Sequence, residues 1–249
     1  MTNHFMCIGF PIKTQQDMND LAKQTYELGE RTKVKRGSYS RIFDKSGAEI
    51  YLQQNRRGKA IGLNPHFSGK GQVKVKLTHG VERKNSELDG AFYGWLIEPP
   101  ESNDPTSEIC PILFDSPDCR TLKKIKFPLI TNIQISAFAH ELKLYDNKKD
   151  YELNREGNFA LESFIPSGLF TPGGDKIVPP IAYAIFSGKI IAFEKKINSL
   201  TKKYYFWLLI KSIGGEFDVV IDMNLIKKDP KIGGYISGVF WLSGQFRLS

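Results

Sequence analysis

The chain has 249 residues, of which 41% are hydrophobic, 25% charged and 12% aromatic, with 22 glycines and 13 prolines. This composition excludes a disordered chain, and this length is enough for one large β domain or two smaller ones. The formal net charge of +8 favours an anionic partner, although charge by itself concerns solubility and nonspecific binding more than any one function.

The termini and the cysteines point to the cytoplasm. The longest unbroken apolar run, residues 204–210, is far shorter than the roughly 20 residues that a membrane-spanning helix needs. The N-terminus has no basic region ahead of its apolar run and no small-residue cleavage site, so we expect no signal peptide. Cys7, Cys110 and Cys119 lack CxxC spacing and are interpreted as free thiols, with a Cys110–Cys119 bridge as the alternative. We therefore predict a cytoplasmic protein without membrane contact.

The first part of the chain predicts one helix among strands. FMCIGF (5–10) is predicted as an opening strand. TQQDMNDLAKQTYELG (14–29) is predicted as a helix, because Thr14 and Asp17 form a capping-box pattern, the apolar residues share one face, and Gly29 fits the helix end. The segments RTKVKR, SYSRIF, AEIYLQQ and KAIGL are then predicted as strands, with DKSG and NRRG as turns.

This order of a strand, a helix and several strands resembles the βαβββ module of the vicinal oxygen chelate superfamily. Its members pair two modules around a cavity, and many bind a divalent metal through His and Glu. His4 and Glu49 lie at loosely similar places, so the resemblance implies a small-molecule binder or a metal-dependent protein. The four histidines are scattered without HxH or HxxxE spacing, so we predict neither a metal nor another cofactor. Residues 64–67 (NPHF) are interpreted as a loop, because Asn-Pro initiates turns.

Two segments rich in proline, residues 99–111 and residues 166–180, are predicted as linkers. The segments QVKVKLTHG, AFYGWLIE, ILF and LITNIQISAFAHELKLY between residues 71 and 165 are predicted as strands. We therefore predict a mainly β (α+β) protein. Residues 1–165 are expected to form an α+β unit of mostly antiparallel sheet, with one clear helix, and residues 180–249 a second unit.

The second unit contains four predicted strands, IAYAIFSGKIIAFE, KKYYFWLLIK, GEFDVVID and GYISGVFWLSGQF. Gly188 and Gly238 lie within two long strands, and such glycines let a strand bend sharply enough to close a small barrel. The four strands, in this order, resemble the OB-fold, a five-stranded barrel. For the missing fifth strand, residues 150–165 offer a candidate in FALESFI.

The OB-fold resemblance implies a site for oligonucleotides or oligosaccharides on the face of the second and third strands and on the adjoining loops. Here the connection EKKINSLTKKYY places lysines beside tyrosines, and a single-strand binder uses such groups for phosphates and bases. A solvated rim that protects a sheet edge accounts for the same lysines. The candidate nucleic-acid-binding residues are Lys195, Lys196, Lys202, Lys203, Tyr204, Tyr205, Trp207 and Trp241.

Motifs of common enzymes are missing from the sequence, which has no GxSxG, no GxxxxGK[ST] and no GxGxxG after a strand. Asp218 and Asp222 share one predicted strand face and are interpreted as solvated rather than catalytic. We therefore predict a binding protein rather than an enzyme, with single-stranded nucleic acid or another polyanion as its partner. The alternatives are a metal-dependent or small-molecule-binding protein of the vicinal-oxygen-chelate type, and a protein–protein interaction module.

Overall fold

The structure is mainly β, as predicted. Within the described residues, a four-stranded sheet has the order β1-β2-β3-β4, and nine further strands form a second, mixed sheet. No helix in these parts of the chain is long and apolar enough to cross a membrane. The computed structural model describes residues 3–83, 86–98, 107–122, 125–169 and 180–246. Residues 99–106 and 170–179, which make up most of the two predicted linkers, lie outside the described residues.

Two helices and thirteen strands are present in the described parts of the chain. The helices are α1 (Gln15–Leu28) and α2 (Lys148–Asn154). The strands are β1 (Glu30–Val34), β2 (Gly37–Phe43), β3 (Ala48–Asn55), β4 (Ala60–Phe67), β5 (Val73–Glu82), β6 (Gly90–Ile97), β7 (Glu108–Asp115), β8 (Leu129–Tyr145), β9 (Ser163–Ile165), β10 (Tyr183–Ile197), β11 (Tyr204–Ser212), β12 (Gly215–Asp222) and β13 (Tyr235–Phe246).

Helix α1 begins and ends as predicted. The Thr14 hydroxyl accepts a hydrogen bond from the Asp17 amide at 3.1 Å, and the Asp17 carboxylate accepts one from the Thr14 amide at 2.8 Å. Both halves of the capping box are therefore present. Leu21 and Thr25 are buried, whereas Leu28, expected on the same face, lies in the last turn and is 65% exposed.

The predicted opening strand is wrong, and so is the predicted loop at residues 64–67. Met6–Ile8 form a turn of 3-10 helix, and Gly9 follows with a φ of 81°. The run FMCIGF has no apolar–polar alternation, so its pattern does not separate a strand from an irregular segment that is buried on all sides. Residues 64–67 belong to β4, whose Pro65 lies opposite Ile50; an edge strand tolerates proline.

The first closed ring of strands, which we call ring 1, is built on the meander β5-β6-β7. β8 returns beside β5, which gives the spatial order β8-β5-β6-β7 of a Greek key. β13 then pairs antiparallel with β8, and it meets β7 in parallel at Ser243 and Asp115. These contacts close a ring of five strands.

The second ring, ring 2, has the same construction. β10, β11 and β12 form an antiparallel meander, and β13 returns beside β10. β8 closes the ring, because it pairs antiparallel with β13 and in parallel with β12, where Asp218 lies opposite Ser136. β13, which closes ring 1, is therefore the fourth strand of ring 2. In the same way β8, which closes ring 2, is the fourth strand of ring 1.

The two rings share the long strands β8 and β13. Consequently the strands from residues 183–246 lie in one sheet with strands from residues 73–145. The strand that completes ring 2 is β8, not the FALESFI segment, because β9 (Ser163–Ile165) pairs with the edge of β10. A local pattern indicates that a strand exists, but it does not identify a pairing partner far away in the chain.

The glycines within the long strands permit close approaches between backbones. A Cβ atom at Gly188 would lie 2.4 Å from the carbonyl oxygen of Lys211, and one at Gly238 would lie 2.2 Å from that of Glu141. Real Cβ atoms do not come this close to other atoms. Glycine therefore lets β10 and β13 lie close to the backbones of their neighbours.

A continuous apolar core fills both rings, and a second core lies outside ring 2. Inside ring 2 the Phe186 ring lies 4.1 Å from Phe240 and 5.3 Å from Phe217. The second core joins the outward side chains of β8, β11 and β12 to the N-terminal segment, α1 and β2–β4, through residues such as Ile8 and Trp207. The N-terminal part of the chain thus covers the outer face of ring 2.

Candidate nucleic-acid interface

The turn between β10 and β11 is held firmly against the N-terminal segment. The buried Asn198 side chain donates to the carbonyl oxygen of Ile8 at 3.0 Å and accepts from the amides of Leu200 and Thr201. The Thr201 hydroxyl donates to the carbonyl oxygen of Gly9 at 2.6 Å. The turn therefore presents its lysines from a fixed backbone.

Four of the predicted site residues lie on or beside this turn and face solvent to different degrees. Tyr204 is 52% exposed, and the Nζ atom of Lys195 lies 5.0 Å from the centre of its ring. Lys202 and Lys203 are exposed, and Lys202 has a φ of 59°. An exposed ring with ammonium groups nearby combines a stacking surface with positive charge.

Lys196 is engaged by its own neighbours. Its side chain is 17% exposed and forms an ion pair with Glu194 at 2.9 Å. Its Nζ atom also lies 5.4 Å from the centre of the Trp207 ring. The carboxylate of Glu194 therefore offsets the charge that this lysine brings to the surface.

The remaining predicted aromatic residues pack against protein. Tyr205 is fully buried, Trp207 is 5% exposed, and both belong to the core under the N-terminal segment. The Tyr205 hydroxyl donates to the carbonyl oxygen of Ser46 at 3.1 Å. Trp241 donates to the Asp115 carboxylate at 2.7 Å, and its ring stacks on His4 at 4.3 Å. The structure therefore places the lysines and Tyr204 on or beside one turn, buries Tyr205 and Trp207, and leaves Trp241 half-buried against His4.

The outer face of ring 1 carries a second group of basic and aromatic residues, which the sequence analysis did not select. On β6, Tyr93 and Trp95 point outward and are half-buried. On β5, Lys76 lies opposite Trp95, and His79 lies opposite Tyr93 with its ring stacked at 5.1 Å. Lys74 is two residues from Lys76 and shares its face of the sheet. We call these five residues the ring 1 face.

The signal for this face is present in the sequence. In VKVK, residues 73–76, both lysines fall on one side of a strand, and in YGW, residues 93–95, both aromatic residues do. What the sequence lacks is the cross-strand register that sets one pair beside the other. The charge of Lys76 is partly offset, because its Nζ atom lies 2.6 Å from the Glu108 carboxylate.

The interpretation of Asp218 and Asp222 as solvated is wrong, because these side chains are 0% and 6% exposed. The Asp218 carboxylate accepts four hydrogen bonds, at 2.7–2.9 Å, from the amides of Lys70 and Gly71 and from the side chains of Trp207 and Gln134. A carboxylate that accepts hydrogen bonds from four donors holds the segments that carry those donors together.

The residues expected from the chelate resemblance do not meet. The Nε2 atom of His4 lies 2.7 Å from the Nε2 atom of His140. Glu49 is fully buried, and it accepts hydrogen bonds from Arg41 at 3.1 Å and from the Tyr51 hydroxyl at 2.8 Å. No group of three or more His, Cys, Asp or Glu side chains suited to a metal ion occurs within the described residues.

Comparison with known proteins adds no family to these observations. No family model, no curated protein and no solved structure matches the chain.

Proposed function

We propose that the protein binds single-stranded nucleic acid through OB-like rings. The observation that carries this proposal is the ring 1 face, where outward basic side chains of β5 lie opposite outward aromatic side chains of β6. The architecture supports it, because each ring is a five-stranded Greek key closed by one parallel pair, and the OB-fold is a five-stranded Greek-key barrel. β6 is the second strand of its ring, and the second and third strands carry the ligand face in OB-folds.

The proposed binding surface is divided between the two rings. In ring 2 the second and third strands, β11 and β12, are covered by the N-terminal segment, so their outer face is closed to a ligand. Ring 2 contributes instead the β10–β11 turn, with Lys202, Lys203 and Tyr204. Ring 1 contributes Tyr93 and Trp95 as stacking surfaces. Lysines at both places meet phosphates, and the aromatic rings meet bases.

The test is a titration of a fluorescent mixed-sequence single strand, followed by anisotropy over a range of salt concentrations. Trp95→Ala is expected to weaken binding by about tenfold or more with an unchanged salt dependence, because it removes a stacking surface and no charge. Lys202→Ala/Lys203→Ala is expected to weaken binding and to lower the slope of log affinity against log salt by about 1.4, at roughly 0.7 per phosphate contact.

The matched control is Lys148→Ala/Lys149→Ala, which removes the same charge from the exposed face of α2. It is expected to bind like the unaltered protein. The proposal is refuted if the unaltered protein does not bind the single strand at low salt. It is also refuted if the control weakens binding as much as Lys202→Ala/Lys203→Ala does and Trp95→Ala has no effect.

A further inference from the structure

A group of six cationic residues, distinct from those of both surfaces described above, lies at one end of the four-stranded sheet. The β1–β2 turn and the β3–β4 turn meet there, because Gly37 lies opposite Asn55. We call this end the basic tip; its cationic residues are Lys33, Lys35, Arg36, Arg56, Arg57 and Lys59. All six are exposed.

The two turns are fixed relative to each other. The Arg56 Nε atom donates to the carbonyl oxygen of Lys35 at 3.1 Å, which joins one turn to the other. The Asn55 side chain accepts from the amides of Arg57 and Lys59 at 2.9 and 3.1 Å, and this shapes the β3–β4 turn. The cations of the basic tip therefore project from an ordered support.

The segments that form and flank the two turns carry no acidic residue of their own. Residues 31–43 and 50–81 contain no Asp or Glu. Residues 1–70, which include the basic tip, carry 12 Lys and Arg in all. Within the described residues, none of the six side chains forms an ion pair, whereas Lys76, Lys196 and Lys228 elsewhere all do. Six unpaired cations in one place cost free energy through mutual repulsion, and an anionic partner relieves it.

The chemistry of the basic tip favours phosphates over unpaired bases. Residues 31–38 and 55–60 contain no aromatic side chain, so the tip offers no stacking surface. Three of its cations are arginines, whose planar guanidinium groups bind phosphate oxygens through two parallel hydrogen bonds. The four strands span about 14 Å, at about 4.8 Å between neighbours, which is close to the about 12 Å width of the major groove of duplex DNA.

We propose that the basic tip binds the phosphate backbone of duplex nucleic acid. This inference extends the proposed function, because the ring surfaces would hold unpaired bases while the tip holds the paired region beside them. The preferred ligand is then a duplex with a single-stranded tail. The tip contacts phosphates and reads no base, so its binding is independent of sequence and depends steeply on salt.

The experiment compares three fluorescent ligands, namely a blunt duplex, a single strand and a duplex with a single-stranded tail. The variant Arg36→Ala/Arg56→Ala/Arg57→Ala removes three charges from the basic tip. The control Lys149→Ala/Lys189→Ala/Lys227→Ala removes three exposed charges elsewhere, none of which has an ion pair in the described structure. The tip variant is expected to lose duplex affinity by at least tenfold relative to the control, and its salt slope on duplex is expected to fall by about 2.7.

The outcomes separate this inference from the proposed function. Duplex binding that depends on the tip supports the inference even if no variant binds the single strand, in which case the proposed function fails alone. If the single strand binds through Trp95 while the tip variant and the control bind duplex equally, the inference fails alone. Absence of duplex binding by the unaltered protein at low salt also overturns the inference.

Discussion

His4 and His140 connect the N-terminal segment to β8 through a contact in which the accepting imidazole must be neutral. Their Nε2 atoms lie 2.7 Å apart, so one must donate and the other must accept. Burial, and next the neighbouring His140, lower the pKa of His4 to about 3, and burial lowers the pKa of His140. A proton added to the ring that accepts would leave two donors facing each other.

We therefore expect acid to destabilise the fold through this pair. Between the unfolded pKa of 6.5 and the folded pKa of about 3, the unfolded His4 binds a proton and the folded His4 does not. The free energy of unfolding then decreases as the pH falls through this window, by up to about 1.4 kcal/mol per pH unit for one proton. Urea unfolding at neutral and at mildly acidic pH measures this loss, and His4→Gln is expected to reduce it.

The control for this prediction is His79→Gln, which makes the same chemical change at an exposed histidine on β5. It is expected to leave the loss of stability on acidification unchanged. If His4→Gln loses as much stability as the unaltered protein over the same pH interval, the pair does not titrate as argued.

At the scale of residues, the sequence predicted which side of a strand each side chain lies on, but it did not predict what packs against that side. Alternation along β11 correctly separates Tyr205 and Trp207 from Phe206. It does not reveal that both sides are buried, the inner side by the core of ring 2 and the outer side by the N-terminal segment. The same limit applies to Asp218, because alternation does not reveal that residues 70 and 71 cover its carboxylate and donate their amides to it. Burial of this kind comes from tertiary contacts that a single strand does not record.

At the scale of elements, the close approach of β10 to β11 depends on the absence of a side chain at Gly188. Gly188→Ala places a Cβ atom 2.4 Å from the carbonyl oxygen of Lys211, so β10 or β11 must shift. We expect this substitution to lower the free energy of unfolding by about 1–3 kcal/mol, as other overpacking substitutions do. Chemical denaturation with the same spectroscopic probe for all variants measures the change.

Gly80→Ala in β5 is the matched control, because the nearest atoms to its new Cβ lie at 3.9 Å. Alanine at this position lowers the entropy of the unfolded chain, which offsets or exceeds any destabilisation of the folded chain. We therefore expect the free energy of unfolding to change by less than about 1 kcal/mol. Equal destabilisation at Gly188 and Gly80 would show that the close approach of β10 and β11 is not what requires glycine.

The strands themselves were largely predictable, because β5, β6, β8 and the four strands β10–β13 show either clear apolar–polar alternation or glycines within or at the ends of the strand. Helix α1 was predictable for a separate reason, its capping box. The pairing was not predictable, because β8 and β12 lie about 80 residues apart, and their parallel contact leaves no mark in either local pattern. The ring 1 face was missed for a related reason, because the register of β5 against β6, with its bulge between Leu77 and His79, is not recorded in either local pattern.

At the scale of the whole molecule, the sharing of β8 and β13 makes the rings depend on each other. The main apolar core contains Phe114 from ring 1 and Phe217 from ring 2, both fully buried. Neither ring closes without β8 and β13, so the loss of one ring removes the closing strand of the other. The described rings therefore have the connectivity of one cooperative unit rather than two.

We accordingly expect the rings to unfold together, and hydrogen exchange with peptide-level resolution can test this. Phe114→Leu and Phe217→Leu each leave a small cavity and are expected to cost about 1–2 kcal/mol. Under conditions in which exchange reports the free energy of opening, either variant should accelerate exchange of the slowest amides in β6 and in β11 by the same factor. A tenfold acceleration corresponds to a loss of about 1.4 kcal/mol. Leu153→Ala, at a side chain of α2 that is 72% exposed, should change neither strand. Acceleration confined to β6 by Phe114→Leu and to β11 by Phe217→Leu would instead mean that each ring opens independently, despite the strands they share.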